Sequence, residues 1–227
     1  MESMKMVSDK TIGRLSLYRR LLVGLMAGEN RNIFSHQLAS LAGLTPAQVR
    51  RDIMSVGYSG SPTRGYDVRE LAESIGNFLD SPRGQGVALI GVGNLGRAIM
   101  AYFAGRRPKL TIVAAFDKDT YKVNRVIHGC RCYAIEDLTP IIEQFGIKVA
   151  IIAVPASDAQ GVAETLVRSG VRGIMNFAPV PLKVPRGTYV QDVDITTSLE
   201  KVAYFSRQAP DPSGAGIVPA SLSASST

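Results

Sequence analysis

The chain of 227 residues holds only two histidines, His36 and His128, and only two cysteines, Cys130 and Cys132. Histidine is the usual proton shuttle near neutral pH. Here one lies in a helical segment and the other in a loop beside Gly129, so no general acid–base set emerges and no catalytic residue is assigned. No metal-ligand set is assigned either. The cysteines sit at i, i+2, where strand side chains point the same way without easy disulfide geometry, so they read as free thiols on a short strand. Long apolar runs are missing too. Nothing approaches the roughly 20 residues that span a bilayer, and Met1–Lys10 carries no apolar signal core. No membrane partner is expected, and the cytoplasm is the default location.

What is present begins with charge. The apolar fraction of 45% and charged fraction of 20% suit an ordinary globular protein of one or two domains. The net charge of +7 is uneven: Lys10 to Arg69 holds nine Lys/Arg against three Asp/Glu, a net of +6. That density suits a polyanionic partner, and a solvated face without a ligand explains it equally well on charge alone.

Leu15, Tyr18, Leu22 and Leu25 recur at helical spacing, predicting a first helix from Lys10 to Ala27. Ser35 is placed to cap a short second helix, His36–Ala42, stopped by Gly43. Thr45 caps a third helix with Pro46 at its first position, where the missing N–H is harmless. In that helix Val49, Ile53 and Val56 face inward, leaving Gln48, Arg50, Arg51 and Ser55 on the outer surface. Two helices joined by a tight glycine turn, the second presenting Gln and Arg, form a helix-turn-helix pattern. Arg bonds guanine edges and Gln adenine edges, and Arg also neutralises phosphates. A three-helix bundle with a charged face is the plainer alternative. The glycine-rich stretch Tyr58–Tyr66, carrying Arg64, fits the wing of a winged helix. Asp67 caps a fourth helix to Leu79, and Ser81–Gly86 reads as a linker.

The next segment has a different character. The apolar run Val87–Ile90 precedes Gly91-Val92-Gly93-Asn94-Leu95-Gly96, which opens a helical pattern through Ala98, Ile99, Tyr102 and Phe103. A second apolar run, Ile112–Phe116, ends on Asp117, 21 residues past Gly96. Strand, glycine turn, helix, strand and acid in this order make a dinucleotide fingerprint. Gly91 allows the turn, Gly93 lets backbone approach a pyrophosphate, and Gly96 lets helix and strand pack closely. The helix N-terminus offers N–H groups to phosphates. Asp117 can accept ribose hydroxyls and would repel the 2′-phosphate of NADP, an exclusion that nearby Lys118 and Lys122 soften.

Alternation continues beyond, with strands near Arg131–Ala134, Val149–Ala153, Gly173–Asn176 and Thr188–Gln191, and helices at Glu136–Phe145 and Asp158–Arg168. This predicts a mostly parallel, doubly wound sheet. Val154 and Pro155 follow one strand, and Asn176, Phe177, Ala178 and Pro179 follow another. Both loops can line a nicotinamide or ribose; the plainer alternative is that their prolines simply end strands. A last helix, Thr197–Gln208, presents Leu199, Val202, Ala203, Tyr204 and Phe205, which is unusually apolar for a surface.

Taken together, Thr45-Pro46-Ala47-Gln48-Val49-Arg50-Arg51-Asp52, Gly65-Tyr66, the glycine fingerprint, Phe116-Asp117, Val154-Pro155-Ala156, Gly173–Val180 and Asp192-Val193-Asp194 resemble the redox-sensing transcriptional repressors of the Rex family. The resemblance covers Val7 to Phe205. It implies a homodimer that binds a palindromic operator on double-stranded DNA, with NADH favouring release and NAD+ competing for the same site. It further implies a C-terminal helix exchanged between protomers, and a polar switch formed by Arg20, Tyr102 and Asp194. The chain departs from the family in Ile195, where an aromatic often follows the aspartate, and in Asn124, where a glycine usually follows the valine.

The expected architecture is therefore α/β. A winged-helix DNA-binding domain (1–82) precedes a Rossmann-like NAD(H)-binding domain (83–195), a swapped dimerisation helix (196–208) and a disordered tail (209–227). Ser35, Thr45, Gln48, Arg50, Arg51, Ser55 and Arg64 are the expected DNA contacts. Gly91, Gly93, Asn94, Leu95, Gly96, Asp117, Lys118 and the two proline loops are the expected cofactor contacts. The alternatives are an NAD-dependent oxidoreductase with an accessory basic domain, which the missing proton donor disfavours, and a CoA- or nucleotide-binding module, which Asp117 disfavours.

Overall fold

The computed structural model describes residues 7–28, 31–106 and 109–208. The expected disordered tail lies outside them. The chain divides into two compact units, the first comprising 1–87, 98–114 and 126–130, the second 88–97, 115–125 and 131–227.

In the first unit, Ser8 caps α1 (Asp9–Leu25) by accepting the Thr11 N–H. The turn from α2 (Ser35–Ala42) to α3 (Pro46–Ser55) is set by Gly43, whose φ of 65° is the left-handed conformation in which β-carbons are disfavoured. The Leu44 N–H then reaches back to the Ala39 carbonyl at 2.9 Å, closing a Schellman-type end. Thr45 caps α3 through its hydroxyl, with Pro46 at the first helical position. Asp67 caps α4 (Val68–Leu79) by accepting the Arg69 and Glu70 N–H groups. β1 (Asn32–Ile33), between α1 and α2, pairs antiparallel with β2 (Tyr66–Asp67), between α3 and α4, and a bridge from Ser61 to Gly65 closes the wing carrying Arg64.

The core of these helices draws Leu15, Tyr18 and Leu22 from α1, Leu38 from α2, Val49 and Ile53 from α3, and Leu71 and Ile75 from α4, all fully buried. Each such side chain contributes about 1.5–3 kcal/mol of burial. Val56 and Leu25 are only partly buried at its edge.

One cap differs from expectation. Ser35 is the first residue of α2 rather than its cap; Phe34 holds that position, and its N–H donates to Gln37 Oε1 at 2.8 Å. The physical reason is that Gln37 satisfies the helix end from within the first turn. That leaves the Ser35 hydroxyl to accept from Arg50 at 3.1 Å.

The seven-stranded sheet contains β3 (Gln85–Ile90), β4 (Leu110–Asp117), β5 (Val126–Ile127), β6 (Cys130–Ala134), β7 (Val149–Ile152), β8 (Gly173–Asn176) and β9 (Tyr189–Asp192), in the order β5-β6-β4-β3-β7-β8-β9. The pairs β4–β6, β7–β8 and β8–β9 are parallel. α5 (Asn94–Phe103), α6 (Leu138–Gln144) and α7 (Ala156–Arg168) alternate with these strands, and α8 (Ile195–Ser206) follows the last. The chain moves outward from β3 in one direction and then, from β7, in the other. This reversal places the loops after β3 and β7 side by side, which is where α/β sheets bind ligands. The expected 81–86 linker is shorter, because β3 already begins at Gln85.

Candidate functional site

A cavity of about 460 Å³ opens at the carboxyl ends of β3, β4 and β7, all within the second unit. Gly91, Gly93, Asp117, Lys118, Val154 and Pro155 line it as the sequence led one to expect. Gly91 has φ 95°, and a β-carbon there would collide with the Ala153 carbonyl. A β-carbon on Gly96 would collide with the Gly91 carbonyl. Both glycines are demanded by the protein itself. Gly93 is different: a β-carbon would meet no protein atom within 4 Å, although the residue lines the cavity. Its smallness serves the space in front of the turn. Asn94, Leu95 and Gly96 form the first turn of α5, whose leading N–H groups have no intrahelical acceptor.

Asp117 is 9% exposed. Its Oδ2 accepts the Val92 N–H at 2.8 Å and the Lys122 ammonium at 3.1 Å, while Oδ1 accepts the Asp119 N–H at 2.9 Å. Burial works against the charge, but the two backbone N–H groups and Lys122 outweigh it and hold the carboxyl below the usual carboxylate range. An ionised carboxylate has about four acceptor sites, and with three of them taken one remains, on Oδ1, for a ribose hydroxyl. Lys118 pairs with Asp158 at 3.0 Å.

The remaining cofactor candidates lie elsewhere. Asn176 is buried, and its amide nitrogen donates to the Val180 carbonyl at 2.8 Å and to Asp192 at 2.7 Å, while its oxygen accepts the Ala178 N–H at 3.0 Å. It braces its own loop, and neither it nor Phe177, Ala178 and Pro179 lines the cavity. Lys122, Asp158 and Val162 do line it, though sequence alone did not select them as contacts. Their signals are geometric. Asp119 folds the chain back to bring Lys122 onto Asp117, and Asp158 and Val162 share one face of α7 at i, i+4.

In the first unit, Arg50, Arg51 and Ser55 are exposed on α3 as expected, and Arg64 is exposed on the wing. Gln48 is half-buried, its amide nitrogen held by Asp52 at 2.8 Å and its amide oxygen accepting from Arg51 at 3.1 Å. Met54, 72% exposed on the same helix, was not singled out by sequence, because an isolated apolar residue beside buried Ile53 gives no pattern. Arg20 and Tyr102 line one cleft of this unit, where the Arg106 guanidinium stacks 4.6 Å from the Tyr102 ring centre. In the second unit, Asp194 caps α8, accepting the Thr197 N–H at 2.9 Å and its hydroxyl at 2.6 Å. Those bonds hold its carboxyl below the usual range. No helix among the described residues is long and apolar enough to cross a membrane. Both cysteines are buried thiols outside any disulfide, and burial pushes the Cys132 thiol up.

Two family profiles match: "CoA binding domain" over residues 83–180 and "Putative DNA-binding protein N-terminus" over 6–53. The chain is 38% identical over 198 residues to the redox-sensing transcriptional repressor Rex of Rhodopirellula baltica, covering 87% of this chain and 84% of that one. It is 36% identical over 209 residues to the Rex of Streptococcus uberis, covering 91% and 98%. Among solved structures it is similar to RSP, a Rex-family repressor, in complex with β-NAD+ and operator DNA (TM-score 0.82, 30% identity, 90% and 94% coverage). The same protein with β-NADH gives a TM-score of 0.79 at 30% identity, covering 90% and 96%. With a winged helix-turn-helix, a 3-2-1-4-5-6 type sheet and a glycine-lined cavity ending on Asp117, this chain belongs to the Rex family of redox-sensing transcriptional repressors.

Proposed function

We propose that this chain is a non-enzymatic sensor of the NADH/NAD+ ratio, whose operator binding as a homodimer is released by NADH. The observation that carries this reading is Gly93: the fold does not need a glycine there, and a nucleotide pyrophosphate approaching the turn does. Asp117 at the adjoining strand end suits a ribose with free hydroxyls, favouring NAD(H) over NADP(H) and over CoA. RSP, a family relative, has been seen with operator DNA and β-NAD+, and with β-NADH. Exposed Arg50, Arg51 and Arg64 are the DNA-facing cations here, with Thr45 and Ser55 beside them.

Release follows from linkage. The dimer has two arrangements, of which only one spaces its recognition helices for both operator half-sites. NADH shifts the balance only to the extent that it binds the other arrangement more tightly, and NAD+ must discriminate less. Arg20, Tyr102 and Asp194 are the proposed polar switch between them. The exposed stripe Ile195, Leu199 and Val202 on α8, spaced i, i+4, i+7, is the proposed contact with a second copy. Titrating the operator complex with NADH tests the whole: affinity should fall by at least tenfold, and an unchanged affinity overturns it. Steady consumption of NADH with any small carbonyl would restore the oxidoreductase reading, and tighter binding of CoA than NADH the third.

A further inference from the structure

Asp52 is the most heavily engaged side chain of the helical unit. It is 3% exposed, yet it is ionised in character and lies on α3, whose exposed surface carries Arg50 and Arg51. Arg14 of α1 grips it with two prongs, Nε to Oδ2 at 2.6 Å and Nη2 to Oδ1 at 2.8 Å. One turn further along α1, the Tyr18 hydroxyl donates to Oδ2 at 2.9 Å. The fourth donor is the Gln48 amide nitrogen, at 2.8 Å from Oδ1. An amide has one nitrogen and one oxygen, so fixing the nitrogen on a carboxylate fixes the oxygen's direction. That oxygen accepts from Arg51 Nη2 at 3.1 Å. The result is a continuous line of bonds from buried Tyr18 and half-buried Arg14 of α1 to an exposed guanidinium.

We infer that Gln48, oriented by Asp52, is a positioning residue that presets the Arg51 guanidinium for DNA, rather than a residue that reads a base itself. The inference rests on the DNA-binding function proposed above. A free surface arginine samples many rotamers, and ordering it on binding costs conformational entropy; holding one of its five donors beforehand reduces that loss and leaves the others for a base or phosphate. The other arginine of the face has a separate tether, the Ser35 hydroxyl, so the two are set independently. Arg14 and Tyr18 make the line stiff, because Asp52 cannot rotate without breaking three bonds to α1.

The test uses the full chain and a DNA duplex selected by that chain from a randomised pool, together with a set of single-base variants of the duplex. If the parent chain selects no duplex, the DNA-binding function itself fails. If it does, Arg51→Ala defines what Arg51 contributes, as lost discrimination at one symmetric base position or as a salt dependence shallower by about one unit. Gln48→Ala, which removes no core packing and leaves Asp52 its three bonds to α1, should lose three- to tenfold in that same readout with only a small drop in the melting midpoint. Introduced into Arg51→Ala, it should add nothing. Asp52→Asn should show the same loss in that readout together with a lower melting midpoint, since Arg14 loses its charge partner; where that variant fails to fold, the Gln48 cycle decides alone. The inference is overturned if Gln48→Ala has no effect, if it flattens a base position of its own, or if its effect is unchanged in the Arg51→Ala background.

Discussion

Asp117 at the end of the second Rossmann strand accepts the N–H of Val92 in the glycine turn at 2.8 Å, joining residues 25 apart in sequence. One carboxylate thus holds the shape of the turn and faces the cavity. Asp117→Ala is expected to leave that N–H without a partner, at a cost of about 1–3 kcal/mol. It should also weaken NADH binding at least tenfold. Urea unfolding and calorimetric titration measure the two effects, and unimpaired NADH affinity would remove Asp117 from the site.

The glycines of the fingerprint should separate cleanly. Gly93→Ala is expected to unfold like the parent chain and to bind NADH at least tenfold more weakly, because its new methyl group meets ligand and no protein. Gly96→Ala should instead lose stability, since its methyl group collides with the Gly91 carbonyl. Thermal melts with and without NADH distinguish these outcomes. Equal melting points for parent and Gly96→Ala would contradict the packing described.

Acid should act on both units through Asp52 and Asp117, whose folded pKa values lie below the ordinary value near 3.9. For Asp52, burial opposes ionisation, and the bonds from Arg14, Gln48 and Tyr18 more than offset it. A carboxyl depressed on folding gives stability that is complete above its unfolded pKa and is lost as the pH falls through the folded one. Stability measured from pH 6 to pH 2 should therefore drop below about pH 4. Asp52→Ala should cost about 3 kcal/mol at pH 7, the low end for a broken buried pair because Arg14 retains some exposure. It should also flatten the acid limb, and a limb as steep as the parent's would show that the pair is not its origin.

On α8, Leu199 is 67% and Phe205 63% exposed. Leu199→Glu is expected to convert the proposed homodimer to monomer in sedimentation experiments while leaving NADH binding in place. A dimer that survives Leu199→Glu together with Val202→Glu would move the contact elsewhere.

Much of this was legible in the sequence because it is local. Gly43, Thr45-Pro46, Asp67 and the glycine fingerprint each impose a backbone shape within a few residues, and the long strands carry dense apolar runs. The strands β1, β2 and β5 were not foreseen, since two residues cannot display an alternation. Ser35 gave a cap signal that Gln37 overrode from within the same first turn. Asn176 looked like a loop residue facing ligand, whereas it makes two bonds inside its own loop and a third to Asp192, sixteen residues away. Gln48 carried the same ambiguity: its spacing places it outward, and only the burial of Asp52 turns its amide back. Asn124 is the reverse case. It stands where the family usually has glycine, and its φ of 61° is the left-handed conformation that asparagine tolerates best among residues with side chains.

The order of the helical core and the cavity along the chain has a consequence for the timing of assembly. The buried helical core uses no residue later than Ile75, while the cavity needs Gly91, Asp117 and Pro155 together. Domains fold from the N-terminus as synthesis proceeds. A chain halted between these points would carry its recognition helix without the nucleotide site that governs it, so truncation within the sheet yields a DNA-facing unit deaf to its signal.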